Sequence, residues 1–274
     1  MSTSITNKCI GFIGVGVMGS SIIKSLLKQS LNSDQICISD KSAEKAEGLA
    51  SQYKVAIKSI IEIGQSCDVI FLAVKPQDLE SVLVELKKSL KPKVLVISIA
   101  AGKKIKFIEE HLTSDVSVVR AMPNTPAQIG KGISAIAAGS KSSKEDMEFA
   151  TKLFLATGEV VEVTEEMLDA VTALSGSGPA YFFSFVESMI KAGVELGLSN
   201  EIATKLAIET ISGSAAMLKE SGLDAQTLRQ NVTSPKGTTA AALQVFSDNN
   251  FDSVILQAMS AAKKRAQELA RKKS

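Results

Sequence analysis

Gly14-x-Gly16-x-x-Gly19 is the first group of residues in the chain whose spacing can do chemistry. An apolar stretch with Cys9, Ile10, Phe12 and Ile13 precedes it, and Ile22, Ile23, Leu26 and Leu27 recur at helical spacing after it. Between a strand and a helix, such glycines bind a dinucleotide. Gly14 permits the tight turn, Gly16 lets the backbone approach a pyrophosphate, and Gly19 lets the helix pack closely, while the helix N-terminus supplies amides and a positive dipole end. Asp40 stands about 20 residues further on, where these folds read the adenosine ribose. A lone Asp40 favours NAD, whereas Ser39, Lys41 and Ser42 can donate to a 2′-phosphate and favour NADP, so these residues leave both cofactors open.

Five of the six prolines, Pro76, Pro123, Pro126, Pro179 and Pro235, fall in short loops rich in Gly, Ser, Thr or Asn. Rigid loops on a scaffold are where function concentrates. The run Asn231-Val232-Thr233-Ser234-Pro235-Lys236-Gly237-Thr238-Thr239 reads as an anion nest opening a helix, with backbone amides and hydroxyls suited to a carboxylate without any arginine. An ordinary N-capped helix start explains the same nine residues equally well.

Other chemistries are narrowed by what the chain lacks. His111 is its only histidine, at what reads as the end of a surface helix, which speaks against a His-based triad or multi-His metal site. Cys9, Cys37 and Cys67 lie in or beside predicted strands without paired metal-ligand spacing, so they read as buried reduced thiols and no metal is expected. With no tryptophan and a formal charge of only +2, from 31 basic and 29 acidic residues, nucleic-acid binding is not expected. The basic residues Lys263, Lys264, Arg265, Arg271, Lys272 and Lys273 read as a solvated helix face and a complement to the helix dipole. No apolar run reaches the roughly 18 residues of a membrane span, and the N-terminus lacks signal-peptide zones, so a cytoplasmic protein is expected.

The elements that must position these residues follow from periodicity. Strands are expected over 35–39, 54–57, 68–74, 93–99, 115–121, 133–138 and 160–163, in alternation with helices over 42–53, 78–90 and 144–157. Small residues Ala100, Ala101 and Gly102 follow one of those strands, and parallel sheets bind ligands at their carboxyl ends. From residue 164 onward only helices are expected, over 167–173, 180–196, 202–220, 224–231, 238–248 and 251–271. The shift places a boundary between a dinucleotide-binding domain, 1–163, and an all-helical domain, 164–274. Residues 202–217 are small and apolar on most faces, which predicts a helix buried on several sides, a subunit interface being one way to achieve it. Phe251, Val254, Ile255, Ala258, Met259 and Ala262 form a packing stripe on the last helix.

Taken together, residues 11–19, Ala73-Val74-Lys75-Pro76, Met122-Pro123-Asn124-Thr125-Pro126, the run from Asp169 to Tyr181 and the turn over 233–239 resemble, in order along the whole chain, the motifs of pyrroline-5-carboxylate reductases. The last two are much more specific than the glycine fingerprint. The resemblance implies an α/β protein: a Rossmann-type doubly wound sheet followed by an all-α C-terminal dimerisation domain. It also implies reduction of 1-pyrroline-5-carboxylate to L-proline with NADPH or NADH, in the last step of proline synthesis, and homodimers that assemble further into decamers. By the same resemblance, Thr239 is the catalytic hydroxyl that bonds the ring nitrogen. Ser234 and the amides of Lys236, Gly237, Thr238 and Thr239 hold the substrate carboxylate, and Glu165 is a substrate-side carboxylate. Cofactor contacts would come from Gly14, Val15, Gly16, Val17, Met18, Ser39, Asp40, Lys41, Ala73, Val74, Lys75, Pro76, Ala100, Ala101, Gly102 and Asn231.

One departure stands out: Lys236 replaces the first glycine of the usual Ser-Pro-Gly-Gly-Thr-Thr, which suggests that the position needs no glycine-only backbone angle. Two other readings compete. A β-hydroxyacid dehydrogenase shares the opening motif but needs a catalytic lysine, and no lysine occurs between Gly158 and Lys191. A non-catalytic dinucleotide sensor would use the fold without the residues around Thr239.

Overall fold

The computed structural model describes residues 8–29, 31–112 and 115–271. Lys272 and Lys273 of the basic cluster lie outside the described residues.

Eight strands form one sheet: β1 (Ile10–Ile13), β2 (Ile36–Ser39), β3 (Ala56–Ile57), β4 (Val69–Leu72), β5 (Leu95–Ser98), β6 (Ser117–Met122), β7 (Gly132–Ala138) and β8 (Gly158–Glu162), in the order β3-β2-β1-β4-β5-β6-β7-β8. β1 to β6 run parallel in the doubly wound order, and β7 turns back antiparallel on β6 with β8 parallel to β7. Alternation along β1 sends Ile10 and Phe12 to one face and Ile13 to the other. The first face packs on α1 (Val17–Gln29), α2 (Ala43–Tyr53) and α6 (Lys144–Leu155), where Phe12 stacks on Phe71 with centroids 4.5 Å apart. The opposite face packs on α3 (Ile60–Ser66), α4 (Leu79–Leu86) and α5 (Ile105–His111).

All eight expected strands are present. β3 is shorter than expected because Lys54 takes φ +58 and closes α2 instead of starting the strand. Helix α3 was not anticipated, although Ser59 and Glu62 form a capping box at its start, a signal present in the sequence. The expected helix over 167–173 is α7 (Leu168–Val171) continued by a π-helical turn, Thr172–Gly176, whose Ser177 amide donates to Thr172 O at 2.8 Å.

The three cysteines correct an expectation. Cys37 and Cys67 are buried free thiols, but Cys9 is only half-buried, and the strands bring all three Sγ atoms within 4.8 Å of one another. Spacing along the chain could not reveal this, because parallel pairing of β1 with β2 and β4 makes neighbours of residues far apart in sequence.

Backbone contacts group residues up to Ser177 with those from Ala262 on, and set Gly178–Ala261 apart as a second unit. That second unit is all helical: α8 (Gly178–Glu195), α9 (Asn200–Glu220), α10 (Ala225–Asn231), α11 (Thr238–Asp248) and most of α12 (Phe251–Arg271). Helices α8 and α9 approach closely where Gly193 faces Ala203. Within the chain α9 buries only Ala203 and Ala207, and Ile202, Leu206 and Ile208 are about half exposed, which leaves the expected burial on several sides to a subunit interface. The stripe on α12 is likewise open at Phe251, Val254 and Ile255.

Candidate active site

The glycine turn sits at the carboxyl end of β1, and each glycine has a separate physical reason. Gly14 has φ +96, and a Cβ there would lie 2.6 Å from the Ala73 carbonyl carbon, so the turn and the segment after β4 touch backbone to backbone. At Gly19 a Cβ would strike Gly14 O at 2.6 Å, which is the close helix-to-turn packing expected. A Cβ at Gly16 would meet no protein atom within 4 Å, so that side of the turn is open, with room for a phosphate to approach the backbone. The first turn of α1 has no acidic residue to oppose its positive end, and Gly16 and Val17 are exposed there.

A cleft of about 440 Å³ opens beside this turn, and its walls bring together Gly14, Gly16, Ser39, Asp40, Lys41, Ala73, Val74 and Lys75 from the expected cofactor set. Val15, Met18 and Pro76 lie on the same segments. The donor set fits a dinucleotide: free backbone at the helix start for a pyrophosphate, and hydroxyl, carboxylate and ammonium groups after β2 for a ribose or its phosphate.

Asp40 lines this cleft and is also tied to the backbone around it. Its Oδ2 accepts the Val15 amide at 2.8 Å and its Oδ1 accepts the Ser42 amide at 2.9 Å, so the carboxylate ties the glycine turn to the end of β2. Lys41 Nζ is paired with Asp78 Oδ2 at 2.7 Å across the cleft mouth. Ala100, Ala101 and Gly102 follow β5 and do not line this cleft. Gly102 has φ +74, and a Cβ there would come within 3.3 Å of Ala270 N, so that glycine accommodates the end of α12.

Glu165 lies just after β8, in the 3-10 turn Glu165–Met167. Its Oε1 accepts from the Ile105 amide at 2.6 Å and pairs with Arg120 Nη1 at 3.1 Å, Arg120 being nearly buried on β6. Arg120 was missed from the sequence, where a single charge at the end of an apolar run was the only trace of a buried pair. Beside it, Glu166 is held below the usual carboxylate range by its own backbone amide and the Thr164 hydroxyl. In the motif over 169–181, a Cβ at Gly176 would strike Met122 Cε at 2.5 Å, so the π-turn sits directly on the last side chain of β6.

The remaining predicted residues belong to the helical unit. Asn231 ends α10 and is exposed. Gly237 N donates to Ser234 O at 3.0 Å, with Pro235 and Lys236 between them. Lys236 has φ +60. Proline second and a positive φ third is the pattern of a type II turn, whose third position favours glycine. The expectation that residue 236 needs no such angle is therefore corrected: lysine occupies it at a cost of about 1 kcal/mol. The turn leads into α11, whose Gly237 N-cap provides no side-chain acceptor for the first amides. The start of α11 thus offers unpaired amides, the Thr238 and Thr239 hydroxyls and a dipole end, with the Lys236 ammonium exposed nearby.

This combination, a doubly wound sheet with an open glycine turn and a separate helical unit whose α11 begins without a side-chain cap, is that of a nicotinamide-dinucleotide oxidoreductase. The comparisons with known proteins narrow the class. Residues 9–102 match the family model for NADP oxidoreductase, coenzyme F420-dependent, and residues 165–269 match that for pyrroline-5-carboxylate reductase dimerisation. Pyrroline-5-carboxylate reductase of Pseudomonas aeruginosa is 41% identical over 263 residues, covering 95% of this chain and 96% of that one, and the Synechocystis enzyme is 38% identical over 265 residues, covering 96% and 98%. Among solved structures, the pyrroline-5-carboxylate reductase of Coxiella burnetii superposes with a TM-score of 0.91 at 35% identity, covering 97% of this chain and 99% of that one. The Plasmodium falciparum enzyme, with NADP bound, gives 0.86 at 33% identity, covering 96% and 98%. The chain belongs to the pyrroline-5-carboxylate reductase family. The β-hydroxyacid dehydrogenase and sensor readings are not favoured.

Proposed function

We propose that this protein reduces 1-pyrroline-5-carboxylate to L-proline with NADPH, the last step of proline formation. The observation that carries the reading is 41% identity over 95% of the chain with the pyrroline-5-carboxylate reductase of Pseudomonas aeruginosa. The NADP bound to the Plasmodium falciparum relative and the NADP family model over residues 9–102 favour NADPH over NADH.

When bound, NADPH supplies a hydride to the imine carbon, and the nitrogen ends protonated. The chain's own work is placement. The glycine turn and the start of α1 hold the pyrophosphate, with the turn itself held by Asp40. Ser39 and Lys41 take the 2′-phosphate side, while Ala73, Val74, Lys75 and Pro76, with Ala100, Ala101, Gly102 and Asn231, complete the cofactor contacts. The substrate carboxylate sits on the amides of Lys236, Thr238 and Thr239 with the Ser234 hydroxyl, the Gly237 amide closing the turn onto Ser234 O, and the Thr239 hydroxyl bonds the ring nitrogen. Glu165 stands on the substrate side, oriented by Arg120. No strong base or metal is required for hydride addition to a protonated imine.

We assign residues 1–163 to cofactor binding and 164–274 to substrate binding and dimerisation. Exposed apolar faces on α9 and α12, together with the dimerisation family model, support a homodimer, and decamers built from such dimers are the larger assembly to test by light scattering. No helix among the described residues is long and apolar enough to cross a membrane. Free thiols at hydrogen-bonding distance from one another support the reducing cytoplasm as the compartment.

The direct test mixes purified protein with 1-pyrroline-5-carboxylate and either reduced cofactor, following loss of nicotinamide absorbance. Faster oxidation of NADPH with proline as product supports the reading. Oxidation of neither cofactor overturns it.

A further inference from the structure

Cys9 immediately precedes β1, Cys37 is the second residue of β2, and Cys67 closes α3 just before β4. All three lie toward the starting ends of parallel strands, at the edge of the sheet opposite the cleft. Cys67 Sγ is 3.2 Å from Cys37 Sγ and 3.5 Å from Cys9 Sγ. Space for the sulfurs is made by Gly11, where a Cβ would lie 2.9 Å from Cys67 Sγ.

We propose that these three thiols are the protein ligands of a site for one thiophilic divalent cation of the zinc class, with water in the fourth position on the half-exposed Cys9 side. Zinc–sulfur bonds of about 2.3 Å in a tetrahedron place sulfurs about 3.8 Å apart. The observed separations, from 3.2 Å to no more than 4.8 Å, bracket that value, so small side-chain rotations complete the geometry. The surroundings fit such an ion. Asp68 Oδ2 holds the Cys9 amide at 2.9 Å, which fixes the outermost ligand. Ser66 Oγ lies 3.8 Å from Cys67 Sγ and accepts from Lys58 Nζ at 3.1 Å, which brings a cation beside a cluster whose divalent complex carries one net negative charge. Binding forms metal–sulfur bonds and releases thiol protons to solvent, with no change of oxidation state. The site would clip β1, β2 and α3 together and has no part in hydride transfer.

Reduced, metal-free full-length protein is titrated with Co(II) as the spectroscopic probe, then with Zn(II) against a chromophoric chelator. The expected result is thiolate-to-cobalt charge-transfer absorption saturating at about one ion per chain, bleached by Zn(II), with zinc shielding the thiols from alkylation. Cys67→Ser and Cys9→Ser should each weaken binding by at least about tenfold. Cys9→Ser, at the half-exposed position, keeps the test meaningful if the buried variant fails to fold, with circular dichroism as the check. Absence of the charge-transfer band in reduced protein overturns the proposal. So does a zinc affinity unchanged by Cys9→Ser in folded protein, or thiols that pair as a disulfide and take up no ion even after reduction.

Discussion

The Asp40 carboxylate accepts the Val15 amide at 2.8 Å, so the residue at the end of β2 holds the phosphate turn of β1 in place. Its other oxygen takes the Ser42 amide two residues on, and the Val15 bond reinforces the backbone bond from the Gly14 amide to Ser39 O at 2.7 Å. Asp40→Ala should lower stability by about 1.5–3 kcal/mol, the range for a hydrogen bond to a charged group, and raise the KM for NADPH by about tenfold or more. Thermal melting and initial-rate kinetics measure the two effects. A normal KM in a destabilised protein would show that the turn keeps its shape without the tie.

Lys236 occupies the third position of a type II turn at φ +60. Lys236→Gly should therefore stabilise the protein by about 1 kcal/mol, by relieving left-handed strain, and keep kcat/KM within about tenfold. Denaturant unfolding beside steady-state assays reads both. A large loss of activity with an unchanged fold would assign the ammonium a direct contact with the substrate.

Thr239→Ala removes the hydroxyl proposed to meet the ring nitrogen while leaving the amide of the same residue. Turnover should fall by one to two orders of magnitude, about 1.4–2.7 kcal/mol, with NADPH binding intact. Wild-type turnover would place the hydroxyl outside the site.

Arg120 and Glu165 are paired at 3.1 Å with the arginine side chain only 7% exposed. Glu165→Ala leaves a buried guanidinium uncompensated and should cost about 3–5 kcal/mol. The double variant Arg120→Met with Glu165→Leu should recover much of that stability without recovering activity. Calorimetry separates the two variants, and equal destabilisation of both would argue against an uncompensated charge as the cause.

Burial pushes the Asp68 carboxyl up, but donation from Lys91 and the Cys9 amide outweighs it, so it ionises below its ordinary range. A depressed carboxyl contributes stability that is present above its unfolded value and is lost as pH falls through its folded value. Asp68→Asn should therefore be less stable than wild type near neutrality, with the gap closing as the solution is acidified. Melting temperatures across that range test this, and a constant gap would mean that the carboxylate charge is irrelevant.

Local order along the chain was legible wherever near neighbours in sequence are near neighbours in space. The glycine turn, the strand and helix alternation and the switch to helices after β8 follow from periodicity and steric preference, and the motifs over 169–181 and 233–239 carry the family resemblance in residue order alone. Tertiary structure alone decided the rest, because the partners involved are distant in sequence and carry no spacing signal. Pairing of β1 with β2 and β4 gathered the thiols, and the antiparallel turn of β7 was invisible in a run of similar apolar strands. The Glu165 carboxylate found Arg120 across 45 positions of sequence, a contact set by where β6 and β8 end. Residue types named the chemistry available, whereas the backbone path determined which groups share a site and which, like Asp40, also brace it.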